Sequence, residues 1–274
     1  MNRMHTDLFS VVENNIPKNC KIAVGVKDPY ILPMLKGADE YVDLVLVSGS
    51  KMELEDLDAE LITSNMPEKK IIDLLMDGEV DGAVRGSLPA SKTLGYLKAR
   101  SGLTSLARVA LLKSKDNYPF LFAPVGIDEG EGKDARLKLI ENGIWILESF
   151  GVDVRVGILS GGRLGDIGRS RRVDYTLEEG EAIKDAISDM GYHAVHHEIL
   201  IEEAVQESNL IIAPDGISGN LIFRTLTFIG GGSAWGAPVH YELGKIFIDT
   251  SRAGGSYLGS VKFAAALSGK IGGV

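Results

Sequence analysis

One turn holds a set of residues suited to anion binding. Residues 209–213 form an apolar run typical of a buried strand, and Pro-Asp-Gly-Ile-Ser-Gly-Asn follows at 214–220. Apolar residues then recur at helical spacing as far as Ile229, so we predict a helix that begins near Asn220. Unpaired N–H groups and the helix dipole favour an anion at such a point. The candidate binding residues are Asp215, Ser218, Gly219, Asn220 and, one turn later, Arg224. The alternative is an ordinary turn in which Ser218 caps the helix.

A second turn, at residues 86–93, is a near miss to the phosphate-binding loop of nucleotide hydrolases. It reads Gly-Ser-Leu-Pro-Ala-Ser-Lys-Thr, with Ser91 in place of the second glycine. Pro89 also removes one N–H group that would face phosphate. We interpret the segment as an anion-binding turn that uses Ser87 and Lys92, or else as a helix start capped by Ser87 or Ser91.

Two further loops carry hydroxyl groups next to arginines. Ser160 is the first residue of a glycine-rich loop. This loop has arginines on both sides of Asp166 in the sequence, at positions 163, 169, 171 and 172. Ser251 and Arg252 follow the strand predicted at 245–249. Each pair is suited to hold an anion, and each loop is equally compatible with helix capping and a solvated basic surface.

Three histidines lie within five positions. His193 and His197 share a face whether the segment is a helix or a strand, but no cysteine accompanies them, so we predict no metal site. Because Gly-x-Ser-x-Gly is absent, the sequence indicates no Ser-His-Asp site. Cys20 is the single cysteine and is expected to be a buried small hydrophobic residue.

Charge and hydrophobicity disfavour a nucleic-acid-binding or a membrane-spanning protein. The 274 residues carry a formal net charge of −9, which disfavours nucleic acid as a partner. No apolar run approaches the ~20 residues of a membrane span, and the first residues lack a signal-peptide pattern, so we expect a cytoplasmic protein. Strand and helix patterns alternate, including a helix at 177–190 and a strand at 234–238, which predicts an α/β fold with mostly parallel sheets and helices on both faces.

Three of these stretches together resemble the phosphate acetyl/butyryltransferase family. Residues 81–87 with 92–94 look like its Asp-Gly…Gly-Ala motif, and 214–220 with Arg224 resemble its Pro-Asp-Leu-x-x-Gly-Asn-x-x-x-Lys motif. Ser251-Arg252 is similar to its Ser-Arg-Gly loop. The order and spacing agree over roughly residues 75–268.

The resemblance implies a two-lobed fold of the isocitrate/isopropylmalate dehydrogenase type. Domain I would comprise residues 1–116 plus 242–274, and domain II residues 117–241, with a cleft between them. The implied catalytic residues are Ser251 and Arg252, and coenzyme A or a related phosphorylated coenzyme is the implied substrate. The family habit also implies a homodimer.

The chain lacks charged residues at three positions where the family's acyl-transfer reaction is expected to need them. Phe228 and Gly95 stand where arginines are expected, and Leu258 stands in place of an acid, so ordinary acetyltransferase activity is not expected. The sequence looks most like the MtxX or methanogenesis marker protein 4 group of methane-producing archaea, a divergent branch of that family. This resemblance implies an acyltransferase-like or methyltransferase-related protein that binds an anionic small molecule. The alternative is a non-catalytic partner or sensor, with methyltransferase components as partners.

Overall fold

A computed structural model of the chain describes residues 6–54, 56–239, 243–251 and 257–271. The chain forms two compact units. We call Met1–Leu8 with Ala107–Ser233 the central unit, and Phe9–Leu106 with Ala234–Val274 the flanking unit. The division into domains at 1–116 plus 242–274 and 117–241 stays a prediction.

Strands and helices alternate along the chain. The strands are β1 (Lys21–Val26), β2 (Asp43–Ser48), β3 (Ala59–Thr63), β4 (Gly82–Val84), β5 (Ala110–Lys113), β6 (Pro119–Ala123), β7 (Arg155–Ile158), β8 (His193–His196), β9 (Leu210–Ile212), β10 (Ser233–Ala234), β11 (Ala237–Val239) and β12 (Ile246–Asp249). The α-helices are α1 (Leu8–Glu13), α2 (Pro67–Met76), α3 (Ala90–Ser101), α4 (Lys133–Ser149), α5 (Arg171–Asp189), α6 (Ile201–Glu207), α7 (Gly216–Phe228) and α8 (Tyr257–Ser268). Short 3₁₀ turns lie at Pro29–Leu35, Ala38–Glu40 and Leu164–Asp166.

The flanking unit contains a six-stranded sheet in the order β11-β12-β4-β1-β2-β3. Only the pairing of β11 with β12 is antiparallel. Strands β1 and β2 are continuous apolar runs because a parallel sheet is covered on both faces. Helix α2 begins with Pro67 and buries Ile71, Ile72 and Leu75, while α8 packs on β4, β12 and β1. The carboxyl ends of five parallel strands, β12, β4, β1, β2 and β3, therefore meet at one edge.

The sheet of the central unit has the order β10-β5-β6-β9-β7-β8. Strands β6, β9, β7 and β8 are parallel, and β5 is antiparallel to β6. The chain moves outward from β6 to β7 and β8, then returns to place β9 between β6 and β7. Because such crossovers are right-handed, this reversal sends α4 and α5 to one face and α6 to the other. The carboxyl end of β9 is therefore a topological switch point, where open α/β sheets bind ligands.

The predicted fold class, α/β with mostly parallel sheets, is confirmed. Three local predictions were wrong. Helix α7 begins at Gly216, four residues before the predicted start, and α5 begins at Arg171, six residues before the predicted start at 177. The strand predicted at 234–238 is two strands, β10 and β11, which belong to different sheets and are separated by Gly236 with a φ of +90°. None of the helices in the described residues is long and apolar enough to cross a bilayer.

Candidate functional site

The first turn of α7 is capped by Asp215. Its backbone is extended, and its Oδ1 accepts a hydrogen bond of 2.7 Å from the N–H of Ser218. Asp215 takes the capping position that the sequence assigned to Ser218, which contributes its backbone N–H group instead. A carboxylate therefore already lies at the positive end of the helix dipole.

The glycines and the asparagine of this turn hold the loop that follows β6. The Nδ2 atom of Asn220 donates a 2.7 Å hydrogen bond to the carbonyl of Val125. A Cβ atom added to Gly219 would lie 2.0 Å from the carbonyl oxygen of Pro124, and one added to Gly216 would lie 2.1 Å from that of Gly126. These three residues thus let the β6–α4 loop pack directly against α7.

Arg172 joins the first turn of α5 to the first turn of α7. Its Nη2 atom donates a 2.9 Å hydrogen bond to Oδ2 of Asp215, and 73% of its side chain remains exposed. Burial raises the pKa of Asp215, but hydrogen bonds from Ser218 and Arg172 outweigh that effect and the pKa is lowered. Arg172 was assigned to a loop, because the sequence pattern placed the helix start at 177.

Arg136 is a buried cation near the same turn. It lies on the first helical turns of α4, is fully buried, and donates through Nη2 to Oε2 of Glu179 on α5. The hydroxyl of Tyr175 donates to the other oxygen of Glu179 at 2.9 Å. Burial lowers the pKa of Arg136, whereas the charges of Glu179, Tyr175 and Asp215 act to raise it. Asp215 is therefore close enough to interact electrostatically with Arg136.

Two nitrogens of this guanidinium are buried and keep unused donors. Nε and Nη1 of Arg136 have no hydrogen-bond partner among the residues that the structure describes. Arg136 was not identified from the sequence, because a single arginine in an amphipathic helix pattern normally indicates a solvated face.

Ser160 follows β7 at the same edge of the sheet and is buried. Its Oγ atom donates to the carbonyl of Gly162 at 3.1 Å and lies 3.0 Å from Nε2 of His196. The Nδ1 atom of His196 lies 2.8 Å from Oε1 of Glu181. The absence of Gly-x-Ser-x-Gly from the sequence could not reveal this arrangement, because Ser160 follows β7, His196 belongs to β8 and Glu181 to α5, so the three residues form no local motif.

Arg224 lies away from the start of α7. It is exposed, and its Cζ atom is 5.1 Å from the ring centroid of Phe228. Eight residues separate it from Gly216, which corresponds to about 12 Å along a helix. A contact between Arg224 and an anion at Asp215 stays a prediction.

In the flanking unit, Ser87 and Ser251 follow neighbouring parallel strands, β4 and β12. The Oγ atom of Ser87 accepts a 2.8 Å hydrogen bond from the N–H of Lys27. Beside it, the buried Arg85 donates from Nε to Oδ1 of Asp249 at 2.5 Å, and Thr250 Oγ1 donates to the Gly86 carbonyl at 2.9 Å. The carbonyl of Ser251 accepts from the hydroxyl of Tyr257 at 3.3 Å.

Of the remaining predicted residues of this unit, Lys92 is not brought into that network. Lys92 is 73% exposed and lies 3.9 Å from Glu68. Arg252 lies outside the described residues. A cavity of about 440 Å³ in the same unit contains none of the predicted site residues and is lined partly by Glu13, Asp39, Glu40, Tyr41 and Asp43.

Comparison with known proteins identifies close relatives. No family model matches the chain. The chain is 47% identical over 268 residues to a Methanosarcina mazei protein named "Putative methyltransferase mtx subunit X", covering 95% of each chain. It is 45% identical over 254 residues to a Methanosarcina barkeri protein of the same name, covering 90% of this chain and 93% of the other.

Solved structures share the fold at low sequence identity. A branched-chain phosphotransacylase from Enterococcus faecalis superposes with a TM-score of 0.70 at 14% identity, covering 91% of this chain and 99% of the other. A phosphotransacetylase from Streptococcus pyogenes gives 0.67 at 16% identity, covering 97% and 99%. At these identities the likeness shows the fold alone, whereas the relatives from Methanosarcina establish membership: the chain belongs to the Mtx subunit X family, whose fold is that of the phosphotransacetylases.

Proposed function

We propose that this protein binds a phosphorylated or coenzyme-type small-molecule anion beside the first turn of α7, in the central unit. It would act as an acyltransferase-like or methyltransferase-related protein of methane metabolism. The names of its relatives and the fold of its structural neighbours support this context. A cytoplasmic location is part of the proposal, and ordinary acetyl-CoA:phosphate acetyltransferase activity is not.

The observation that carries the proposal is the unsatisfied guanidinium of Arg136. A buried polar group without a hydrogen-bond partner costs about 1–3 kcal/mol, and more when it is charged. Glu179 neutralises the charge of Arg136, but Nε and Nη1 keep unused donors. Each of these nitrogens points an N–H donor of a planar cation in a fixed direction, and either one suits an oxygen of a phosphate or carboxylate.

A second guanidinium contacts the first turn of α7. Arg172 adds an exposed guanidinium at the same turn, with one nitrogen committed to Asp215. Because Asp215 occupies the capping position of α7, we place the anion beside the helix axis, between Arg136 and Arg172. Ser160, Ser218, Gly219, Asn220 and Arg224 remain predicted contributors in this unit, as do Ser87, Lys92, Ser251 and Arg252 in the flanking unit.

Calorimetric titration of the full chain tests this proposal. The ligands are inorganic phosphate, acetyl phosphate and coenzyme A, and the variant is Arg172→Ala. A charge-assisted hydrogen bond contributes about 1.5–3 kcal/mol, so the variant should bind roughly 10- to 100-fold more weakly. Arg171→Ala is the matched control, since Arg171 is an adjacent exposed arginine. Absence of binding by the unsubstituted chain, or equal weakening by both variants, would contradict the proposal.

An exposed apolar surface on α7 supports the homodimer that the family resemblance implies. Ile217, Leu221 and Phe228 recur on one side of the helix and are 58%, 62% and 36% exposed, with Ile229 at 84%. We propose that a second copy of this chain covers this stripe, because a two-fold contact is self-complementary.

Light scattering measures this association. The chain has a mass of 29.4 kDa, and a dimer has twice that mass. Leu221→Glu should return the mass to that of one chain. Ile167→Glu, at a residue that is 63% exposed, should leave the dimer intact. A single-chain mass before any substitution would remove the dimer from the proposal.

A second candidate function is that of a non-catalytic subunit or sensor in a methyltransferase assembly. The word "subunit" in the names of the relatives favours it. The two candidates differ in the titration described above, because a purely structural subunit requires neither an anion nor the free donors of Arg136.

A further inference from the structure

Three side chains in the central unit form a continuous hydrogen-bonded row, which we call the Ser160 triad. His196 lies in the middle, with Nε2 3.0 Å from Ser160 Oγ and Nδ1 2.8 Å from Glu181 Oε1. The side chains of His196 and Glu181 are 2% and 41% exposed, so the row runs from a buried hydroxyl to a carboxylate that water can reach.

The fold holds the three residues in register. Ile158 at the end of β7 pairs with His196 at the end of β8, which places Ser160 beside the histidine. A Cβ atom added to Gly180 would lie 2.6 Å from Nε2 of His196, so a glycine at this position lets the ring lie against α5. Glu181 is the next residue of that helix. Glycine is therefore needed at position 180 to make room for the His196 ring, and the helix itself does not require it.

The bonding pattern is that of an activated hydroxyl. A carboxylate on Nδ1 holds the proton on that nitrogen and leaves the lone pair of Nε2 facing the serine. Hydrogen bonds from Lys184 and from His196 lower the pKa of Glu181, which keeps it ionised for this role. The hydroxyl proton of Ser160 has two acceptors within reach, the Gly162 carbonyl at 3.1 Å and His196 Nε2. Rotation of this O–H bond toward the imidazole produces the reactive arrangement.

We propose that Ser160 is a nucleophile for activated acyl groups, with His196 as its base and Glu181 as the residue that orients His196. Ser160 Oγ attacks the acyl carbonyl of an ester or thioester while its proton passes to His196 Nε2. The bond to the leaving alcohol or thiol then breaks, and the leaving group takes that proton. Water hydrolyses the acyl-serine through the same base and releases a carboxylic acid.

The position of Ser160 is compatible with access to such a reagent. The residue itself is 3% exposed, and the exposed Gly161 follows directly. The two residues that follow Ser160 are both glycines, so neither adds a side chain to this part of the loop. A purely structural network would use the same hydrogen bonds, but it would not make one serine selectively reactive.

A fluorophosphonate probe distinguishes the two roles. The serine oxygen forms a bond to phosphorus, fluoride leaves, and the proton goes to His196. We expect the full chain to acquire one adduct, which peptide mass mapping places on Ser160. Ser160→Ala should abolish labelling. His196→Gln should slow labelling by about 10²-fold or more, and Glu181→Gln should slow it by about 10-fold or more.

Ser170→Ala is the matched control. Ser170 is an exposed serine that precedes α5 and makes no side-chain capping hydrogen bond, so its removal should leave the labelling rate unchanged. If a triad variant fails to fold, the position of the adduct in the unsubstituted chain still tests the proposal. No adduct, an adduct on another residue, or labelling that is unchanged in His196→Gln would overturn the proposal. None of these results depends on anion binding at Arg136, so the two proposals can fail separately.

Discussion

Arg172 donates a 2.9 Å hydrogen bond to Asp215, although the two residues are 43 positions apart in the chain. The contact joins the first turns of α5 and α7 at the carboxyl edge of the central sheet. It therefore brings a basic segment and a glycine-rich turn to one place, within electrostatic reach of the buried Arg136.

Asp215 should stabilise the central unit in a pH-dependent way. Its pKa is lowered in the folded chain, so its contribution is present above the ordinary carboxyl pKa near 4 and is lost as the pH falls through the folded value. Asparagine caps a helix about as well as aspartate, so Asp215→Asn removes mainly the charge. We expect a cost of about 0.5–1 kcal/mol at pH 7 that shrinks between pH 5 and about pH 3.

Trp145 on α4 reports on this unit when Trp235 is replaced by phenylalanine, because the chain has 2 tryptophans. Urea denaturation followed by Trp145 fluorescence gives the free energy difference. Asp116→Asn, which removes one carboxylate from an exposed turn, is the control for the change in net charge alone. A difference between Asp215→Asn and the parent that stays constant down to pH 3 would contradict the assigned direction of the pKa.

Two helical glycines should respond to alanine with opposite signs. Replacing a helical glycine normally stabilises by about 1 kcal/mol. Gly95 in α3 has nothing within 4 Å of an added Cβ atom, so Gly95→Ala should stabilise the flanking unit. Gly219→Ala would place Cβ 2.0 Å from the Pro124 carbonyl and should destabilise the central unit by about 1–3 kcal/mol.

Trp235 and Trp145 fluorescence report on the two units separately in urea. Stabilisation by alanine at both positions would show that the β6–α4 loop does not pack against α7 as described.

Cys20 should be an unreactive thiol in the folded chain. It is 3% exposed, and burial raises the pKa of its thiol to about 11. At pH 8 the thiolate is then roughly 0.1% of the total, so the reaction with Ellman's reagent should be at least about 10²-fold slower than in urea. Stopped-flow absorbance measures both rates. Similar rates in the two conditions would mean that Cys20 is not buried beside Ser268.

Local sequence patterns predicted the fold better than the site. Apolar runs, prolines and the polar residues between them predict the bounds of five elements directly: β1, β3, β6, α2 and α6. The start of α7 was misplaced because Gly216 and Gly219 are poor helix formers and were interpreted as a turn. They are tolerated there because the β6–α4 loop requires their small size, which is a tertiary effect.

Local sequence patterns could not predict which side chains meet at the carboxyl edge of the sheet in the central unit. Arg136, Glu179 and Asp215 come from three elements, and only the strand order places them together. The histidine cluster was examined only for a metal site, through the spacing of His193 and His197, and no role was assigned to His196. Its contacts are instead Ser160 and Glu181, which lie on an adjacent strand end and a covering helix.

The most direct test of anion binding at this edge is a crystal structure of the full chain grown with tungstate. This anion resembles phosphate and can be located by its anomalous scattering. We predict a tungstate peak with an oxygen about 3 Å from Nε or Nη1 of Arg136 and a contact from Arg172. Tungstate bound elsewhere, with both Arg136 nitrogens hydrogen-bonded to protein atoms, would contradict this prediction.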